Sequence, residues 1–202
     1  MPAPALYYDL GSPHAYLAAE RAEGLLGCAP EFRPVLLGAI FAARGHGSWS
    51  QTAQRVEGIA EVERRAAAYG LAPVRWPDGW PPNTLAAMRV AVWAEREGRG
   101  AAFARAAFRR AYADGADLAD AAVLAQVAAG VGLDAAALSG AIAAPEVKDD
   151  LRRRTEAAIT LGVRGVPTLE TGGRLYSGDD RLDEAAQAHE RRRKGTAPRG
   201  RP

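Results

Sequence analysis

Strand-like patterning is confined to the two ends of this 202-residue chain, and about residues 38–161 between them carry helical spacing almost throughout. Ala5-Leu6-Tyr7-Tyr8 opens an apolar strand that runs toward Leu10, and a helix carrying Tyr16, Leu17, Ala19 and Leu25 follows, stopping near Gly27. Glu31 to Leu37 alternates apolar and polar residues, which predicts a second strand, with Pro34 placing it at an edge or bulge. A strand–helix–strand unit of this length implies parallel pairing. Helices are then predicted over 56–69, 84–97 (Asn83 as cap), around Phe103–Tyr112, over 118–129, 135–143, and from Pro145 to Leu161. Val166–Leu169 and Leu175-Tyr176 flank Thr171-Gly172-Gly173, a hairpin signal, and a last short helix is predicted from about Asp180 to Ala188.

This order predicts an α/β chain with a thioredoxin-like fold split by an all-helical insertion. Residues 1–38 and 162–190 form the split domain, 39–161 the insertion, and 191–202 a tail. The tail holds six basic groups and no acids, which leaves 20 basic and 24 acidic groups in the remainder. With Gly195, Pro198, Gly200 and Pro202 it has no apolar face to bury, so it is expected to be disordered and without a nucleic-acid partner.

Ser12-Pro13-His14-Ala15 stands where the first strand hands over to the first helix. In thioredoxin-like folds that junction holds a Cys-x-x-Cys pair, and dithiol exchange needs both sulfurs. Neither is present. A hydroxyl remains at a helix N-terminus, where backbone N–H groups and the macrodipole favour an anion. That chemistry suits holding another molecule's thiolate. His14, inside the motif, is a candidate for tuning it.

Gly165-Val166-Pro167-Thr168 is the second feature. With the Ser12 motif present, the Val166–Pro167 bond is expected cis, turning the Val166 backbone groups outward to pair with an extended peptide. Asp179 and Asp180 open the last helix, either as caps or as holders of a ligand's ammonium group. His46, between Gly45 and Gly47, is a candidate ligand contact. Trp49, Trp76, Trp80 and Trp93 are candidate walls of an aromatic-substrate pocket, Trp76 and Trp80 on a proline-rich loop, although packing is the commoner fate of tryptophan, and Asn83 could orient a substrate or cap its helix.

Five motifs recur in register. They are Asp9-x-x-Ser12-Pro13-x-x-Tyr16-Leu17, Arg33-Pro34-Val35-Leu36-Leu37-Gly38-x-Ile40-Phe41, Pro82-Asn83-Thr84 with Met88-Arg89, Gly165-Val166-Pro167-Thr168, and Gly178-x-Asp180-Arg181-Leu182. In these the chain resembles the 2-hydroxychromene-2-carboxylate isomerases and the kappa-class glutathione transferases, in the DsbA-like branch of the thioredoxin superfamily. The resemblance implies glutathione, or a similar low-molecular-weight thiol, as cofactor. It makes Ser12 the catalytic donor to the cofactor sulfur. Val166, before a cis Pro167, would pair with the cysteinyl portion, and Asp179 and Asp180 would bind the γ-glutamyl amine. His46 stands where the family often has Asn, and Gln54 and Glu57 where it often has Lys and Tyr. The substrate implied is small, aromatic and conjugated, and a homodimer is implied with it.

The rival reading is a DsbA-type homologue that has lost redox chemistry and serves as a thiol- or peptide-binding protein. Cys28, the single cysteine, excludes an internal disulfide and a cysteine-based metal cluster, and its apolar neighbours predict a buried, inert thiol. Three scattered histidines make no metal site. No apolar run approaches the roughly 20 residues of a membrane span, and no signal peptide is legible at Met1-Pro2-Ala3-Pro4, so a cytoplasmic protein is expected.

Overall fold

The computed structural model describes residues 2–195. Strand β1 (Ala5–Tyr8) is buried along its whole length. Its side chains alternate between two apolar clusters, Leu6 and Tyr8 in the larger and Ala5 and Tyr7 in the smaller. That is why this segment reads as continuously apolar: it is covered on both faces. Helix α1 (Pro13–Leu26) starts on the Ser12 N-cap, whose Oγ accepts from the Ala15 N–H at 3.2 Å, with Pro13 in the first turn, where no N–H is needed. It ends at Gly27, whose φ of 65° is the left-handed geometry that favours glycine.

Strand β2 (Glu31–Pro34) pairs parallel to β1 and stops sooner than the alternation predicts. Leu37 does not extend it. Its N–H donates to Asp9 Oδ2 at 2.8 Å, and the residue opens helix α2 (Leu37–Arg44). The other inserted helices are α3 (Arg55–Ala68), α4 (Leu85–Arg96), α5 (Gly100–Tyr112), α6 (Ala121–Gly130), α7 (Leu138–Ala143) and α8 (Pro145–Leu161). Alanines at 87, 91, 94, 104, 107 and 111 are fully buried, so α4 and α5 approach closely. Thr84, not Asn83, is the N-cap of α4, and Asn83 Oδ1 instead accepts from the Leu85 N–H at 3.1 Å.

β3 (Thr168–Thr171) returns antiparallel to β1, and β4 (Arg174–Ser177) follows across the Gly172-Gly173 turn, giving the order β2-β1-β3-β4. Pro34 therefore sits on an edge strand, as its missing N–H requires. The Val166–Pro167 bond is cis as expected, and so is Trp80–Pro81, which no motif marks. The last helix, α9 (Leu182–Gly195), corrects the expected tail: residues 191–195 continue the helix, where Lys194 pairs with Glu190 at 2.6 Å and Arg192 Nη1 donates to the Gly172 carbonyl at 3.0 Å. The rest of that segment, 196–202, lies outside the described residues. Among the described residues no helix is long and apolar enough to cross a membrane.

Candidate functional site

The two strand-bearing segments, far apart in sequence, meet at the N-terminus of α1. Ser12 Oγ accepts from Ala15 N–H and donates to the Val166 carbonyl at 3.3 Å, 154 residues away. Ser12 is only 4% exposed, but its hydroxyl faces the cis peptide rather than the core. For it to serve a ligand's sulfur, its one proton must turn away from Val166 O, giving up a long hydrogen bond.

Two clefts flank this point. One, of about 390 Å³, lies between α1 and α3 and is lined by His14, Trp49, Gln54, Glu57, Gly58, Glu61 and Arg64. The other, of about 660 Å³, gathers Asp9 and Gly11, the first turn of α2, His46, and the Pro81–Leu85 segment with Asn83. A cavity of about 690 Å³ beside edge strand β2, between the α4–α5 turn and α8, is larger. None of the three is lined by Ser12 or Val166 themselves, but the two smaller ones take in Gly11 and His14 beside Ser12, whereas this one does not, and its Arg33 and Arg154 are already paired with Glu31, Glu170, Glu95 and Asp150. The chemistry therefore belongs to the two smaller clefts.

Asp9 builds the larger of these. Buried at 5% exposure, it accepts from Gly11 N at 2.8 Å, Leu37 N at 2.8 Å and Thr84 Oγ1 at 2.9 Å, tying β1, α2 and α4 together. Burial pushes its carboxyl above the usual carboxylate range, against the pull of those three donors. In the sequence Asp9 stands out only as the first residue of the Ser12 motif. An Asp two residues before Gly, with its Oδ1 on the Gly11 N–H, is a local turn signal, but two of its partners come from far along the chain.

Asp179 overturns its expected role. It is 1% exposed and turned inward, where Oδ1 meets His14 Nδ1 at 2.9 Å and Arg65 Nη1 at 3.1 Å, and Oδ2 accepts from Tyr69 OH at 3.0 Å. Its carbonyl accepts from Arg21 Nη1 at 3.1 Å. Burial raises the Asp179 carboxyl, but His14, Arg65 and Tyr69 together outweigh it and hold the group below its ordinary value. Buried among these partners, the carboxylate presents no open edge to a ligand's ammonium. Asp180 is exposed, 3.6 Å from Arg65, and keeps a free flank.

The tryptophans are redistributed as well. Trp80, 4% exposed, is packing: its ring meets Trp76 at 4.7 Å and its Nε1 donates to Tyr112 OH at 3.4 Å. Trp76 Nε1 is spent on Glu63 at 2.8 Å. Of the four candidate tryptophans, Trp49 lines the cleft, 5.3 Å from Trp80 and edge-on to His14 at 6.2 Å. It fits there because α3 carries Gly58, where any Cβ would stand closer than 3.0 Å to the indole. Gln54 and Glu57 lie on the rim of the same cleft, while Arg55 stacks over Trp80 at 5.1 Å. His46 is exposed, packs on Phe41 at 4.9 Å, and lines the Asp9 cleft away from Trp49.

Cys28 lies at the far end of α1, about 20 Å from Ser12 by helical rise. It is half-buried rather than buried, with Sγ 3.6 Å from His189 Nε2. Among the described residues no group of three His, Cys, Asp or Glu side chains is placed to hold a metal.

Residues 5–190 match the family model described as a DSBA-like thioredoxin domain. The chain is 31% identical over 183 residues to 2-hydroxychromene-2-carboxylate isomerase of Sphingobium xenophagum, covering 88% of this chain and 92% of that protein. A solved 2-hydroxychromene-2-carboxylate isomerase superposes with a TM-score of 0.87 at 22% identity, over 98% of this chain and 99% of the other. The cytosolic disulfide reductase DsbM of Pseudomonas aeruginosa, solved with GSH, gives 0.65 at 18% identity, over 95% and 98%. At those identities the two structures speak for the fold.

Proposed function

The chain belongs to the DSBA-like thioredoxin domain family and, within it, to the 2-hydroxychromene-2-carboxylate isomerase group, and on that premise we propose that it is a thiol-dependent isomerase of small conjugated aromatic substrates. Glutathione or a similar low-molecular-weight thiol is its cofactor. One observation carries the reading: at the fold's reactive junction a hydroxyl, Ser12, takes the place of sulfur and points at a cis Val166–Pro167 peptide.

The residues present fit a thiol. Ser12 Oγ is a donor at the positive end of a 14-residue helix, which favours charge on a sulfur held there. Trp49 and the side of α3 offer a cleft beside it, and Asp180 and Glu57 offer carboxylates for an ammonium group. Bound there, the thiol supplies a nucleophile that adds to a conjugated carbon and leaves again, so that a double bond becomes briefly rotatable. The Asp9 cleft, with the first turns of α2 and α4 on its wall, suits the carboxylate and ring of a substrate. Disulfide exchange is disfavoured, since Cys28 lies too far away to act as a resolving thiol. A homodimer and a cytoplasmic location belong to the same proposal.

Calorimetric titration with glutathione tests it, alongside Ser12→Ala. Binding at millimolar affinity or better is expected, about −4 kcal/mol or stronger, with less ultraviolet thiolate absorbance in the variant. Binding with no isomerisation of any hydroxychromene-type substrate would favour the redox-inactive binding protein. Robust insulin reduction would defeat both readings.

A further inference from the structure

Ser12 can stabilise a thiolate, but it cannot make one. Its oxygen already accepts from Ala15 N–H and its proton already goes to Val166 O. A resting thiol is mostly protonated near neutral pH, so some group must take its proton. His14, one helical step into α1 from the proline that follows Ser12, is placed for this. The Asp179 carboxylate has no proton to give, so the 2.9 Å contact requires hydrogen on His14 Nδ1. The neutral imidazole then carries a lone pair on Nε2. Among the described residues nothing else is hydrogen-bonded to this ring, which is 24% exposed, edge-on to Trp49, and opens into the cleft between α1 and α3.

We propose that His14, oriented by buried Asp179, is the general base of the site; the proposal rests on the thiol-dependent reading above. Nε2 takes the proton of the bound S–H group, whose electron pair stays on sulfur, and gives it back when the thiol departs. No other reactant is consumed. Asp179 is a positioning residue: it fixes the ring and offsets the imidazolium charge that the positive end of α1 would otherwise oppose.

The other groups around the ring do not compete for this role. From α3, Glu61 is held by Arg64 and Arg65, which depress its carboxyl, and Tyr69 donates to Asp179. Glu57 is exposed and solvated. From α1, Arg21 binds the Asp179 carbonyl and Asp183. Asp180, beyond Arg65, faces solvent.

Two readouts decide it. The ¹⁵N spectrum of the free protein should show His14 as the Nδ1–H tautomer, and Asp179→Asn should abolish that preference; an Nε2–H tautomer in the unmodified protein overturns the proposal before any ligand is added. With glutathione bound near neutral pH, His14→Gln, whose amide can still reach Asp179, should lower the thiolate absorbance about tenfold or more while calorimetric affinity stays within a few-fold. An unchanged thiolate fraction in His14→Gln, with Ser12→Ala reducing it, overturns the base and leaves the thiol-dependent reading standing. No binding of glutathione or cysteine to the unmodified protein overturns that reading, and the base with it.

Discussion

Gly58→Ala should destabilise this protein, although the same change in an ordinary helix stabilises. Gly58 lies in the first half of α3, where alanine gains about 1 kcal/mol over glycine from backbone entropy. Against that, the added methyl would fall inside 3.0 Å of Trp49 Cε3, Cζ3 and Cδ2. The indole is not free to swing aside, being packed at a tilt against Trp80 at 5.3 Å and edge-on to His14 at 6.2 Å. Overpacking of this kind costs about 1–3 kcal/mol, so the net expectation is a loss of about 1 kcal/mol, or roughly 2–4 °C in Tm for a chain of this size. The decisive measurement is a double-mutant cycle by urea unfolding, followed by circular dichroism. In a Trp49→Ala background the steric cost disappears and Gly58→Ala should gain about 1 kcal/mol, a coupling of about 2 kcal/mol. If Gly58→Ala stabilises both backgrounds equally, Trp49 does not stand against α3 and the aromatic wall is misassigned.

Two further expectations follow from buried polar groups. Asp179→Asn leaves Arg65 and His14 facing a neutral amide and should cost about 2–3 kcal/mol at neutral pH, at the low end for a broken buried pair because Arg65 is partly solvated. The Asp179 carboxyl is held below its ordinary value, so its stabilisation is present above that value and fades as pH falls through the depressed one. The variant's deficit in urea titrations should therefore shrink on acidification, and a deficit independent of pH would contradict the ion-pair account. Tyr112→Phe removes both the acceptor for Trp80 Nε1 and the donor to Leu10 O, each at 3.3–3.4 Å. A loss of about 1–2 kcal/mol in denaturant unfolding is expected; no loss would mean that Trp80 finds another partner.

The sequence showed the architecture better than it showed the site. Helix termini were legible where glycine or proline marks them, as at Gly27, Gly162 and Pro145, because the signal is local backbone chemistry. α2 was partly hidden: Leu36-Leu37 continues a strand-like alternation, and what stops it is Asp9, 28 residues earlier, accepting from Leu37 N–H. Ser12 and Val166 were found together because each carries its own motif. Asp179 was placed at the right spot facing the wrong way. Two carboxylates opening a helix look alike in sequence, and only His14, Arg65 and Tyr69, from 110 to 165 residues away, decide which one is consumed inside. Which of the tryptophans lines the cleft is hidden for a similar reason. Nothing near any of them announces Gly58 as the position that leaves room for an indole.

The position of β1 has a consequence for how the molecule comes into being. This strand has its parallel partner β2 by residue 34, but its other partner, β3, only once residue 168 and beyond have been made. During translation β1 therefore keeps one edge bare until β3 is made, although α4–α8, synthesised before β3, have one another to pack against. Ser12 meets Val166 only after the helical block between them has been synthesised, so a chain interrupted anywhere before β3 has part of its core and none of its reactive junction.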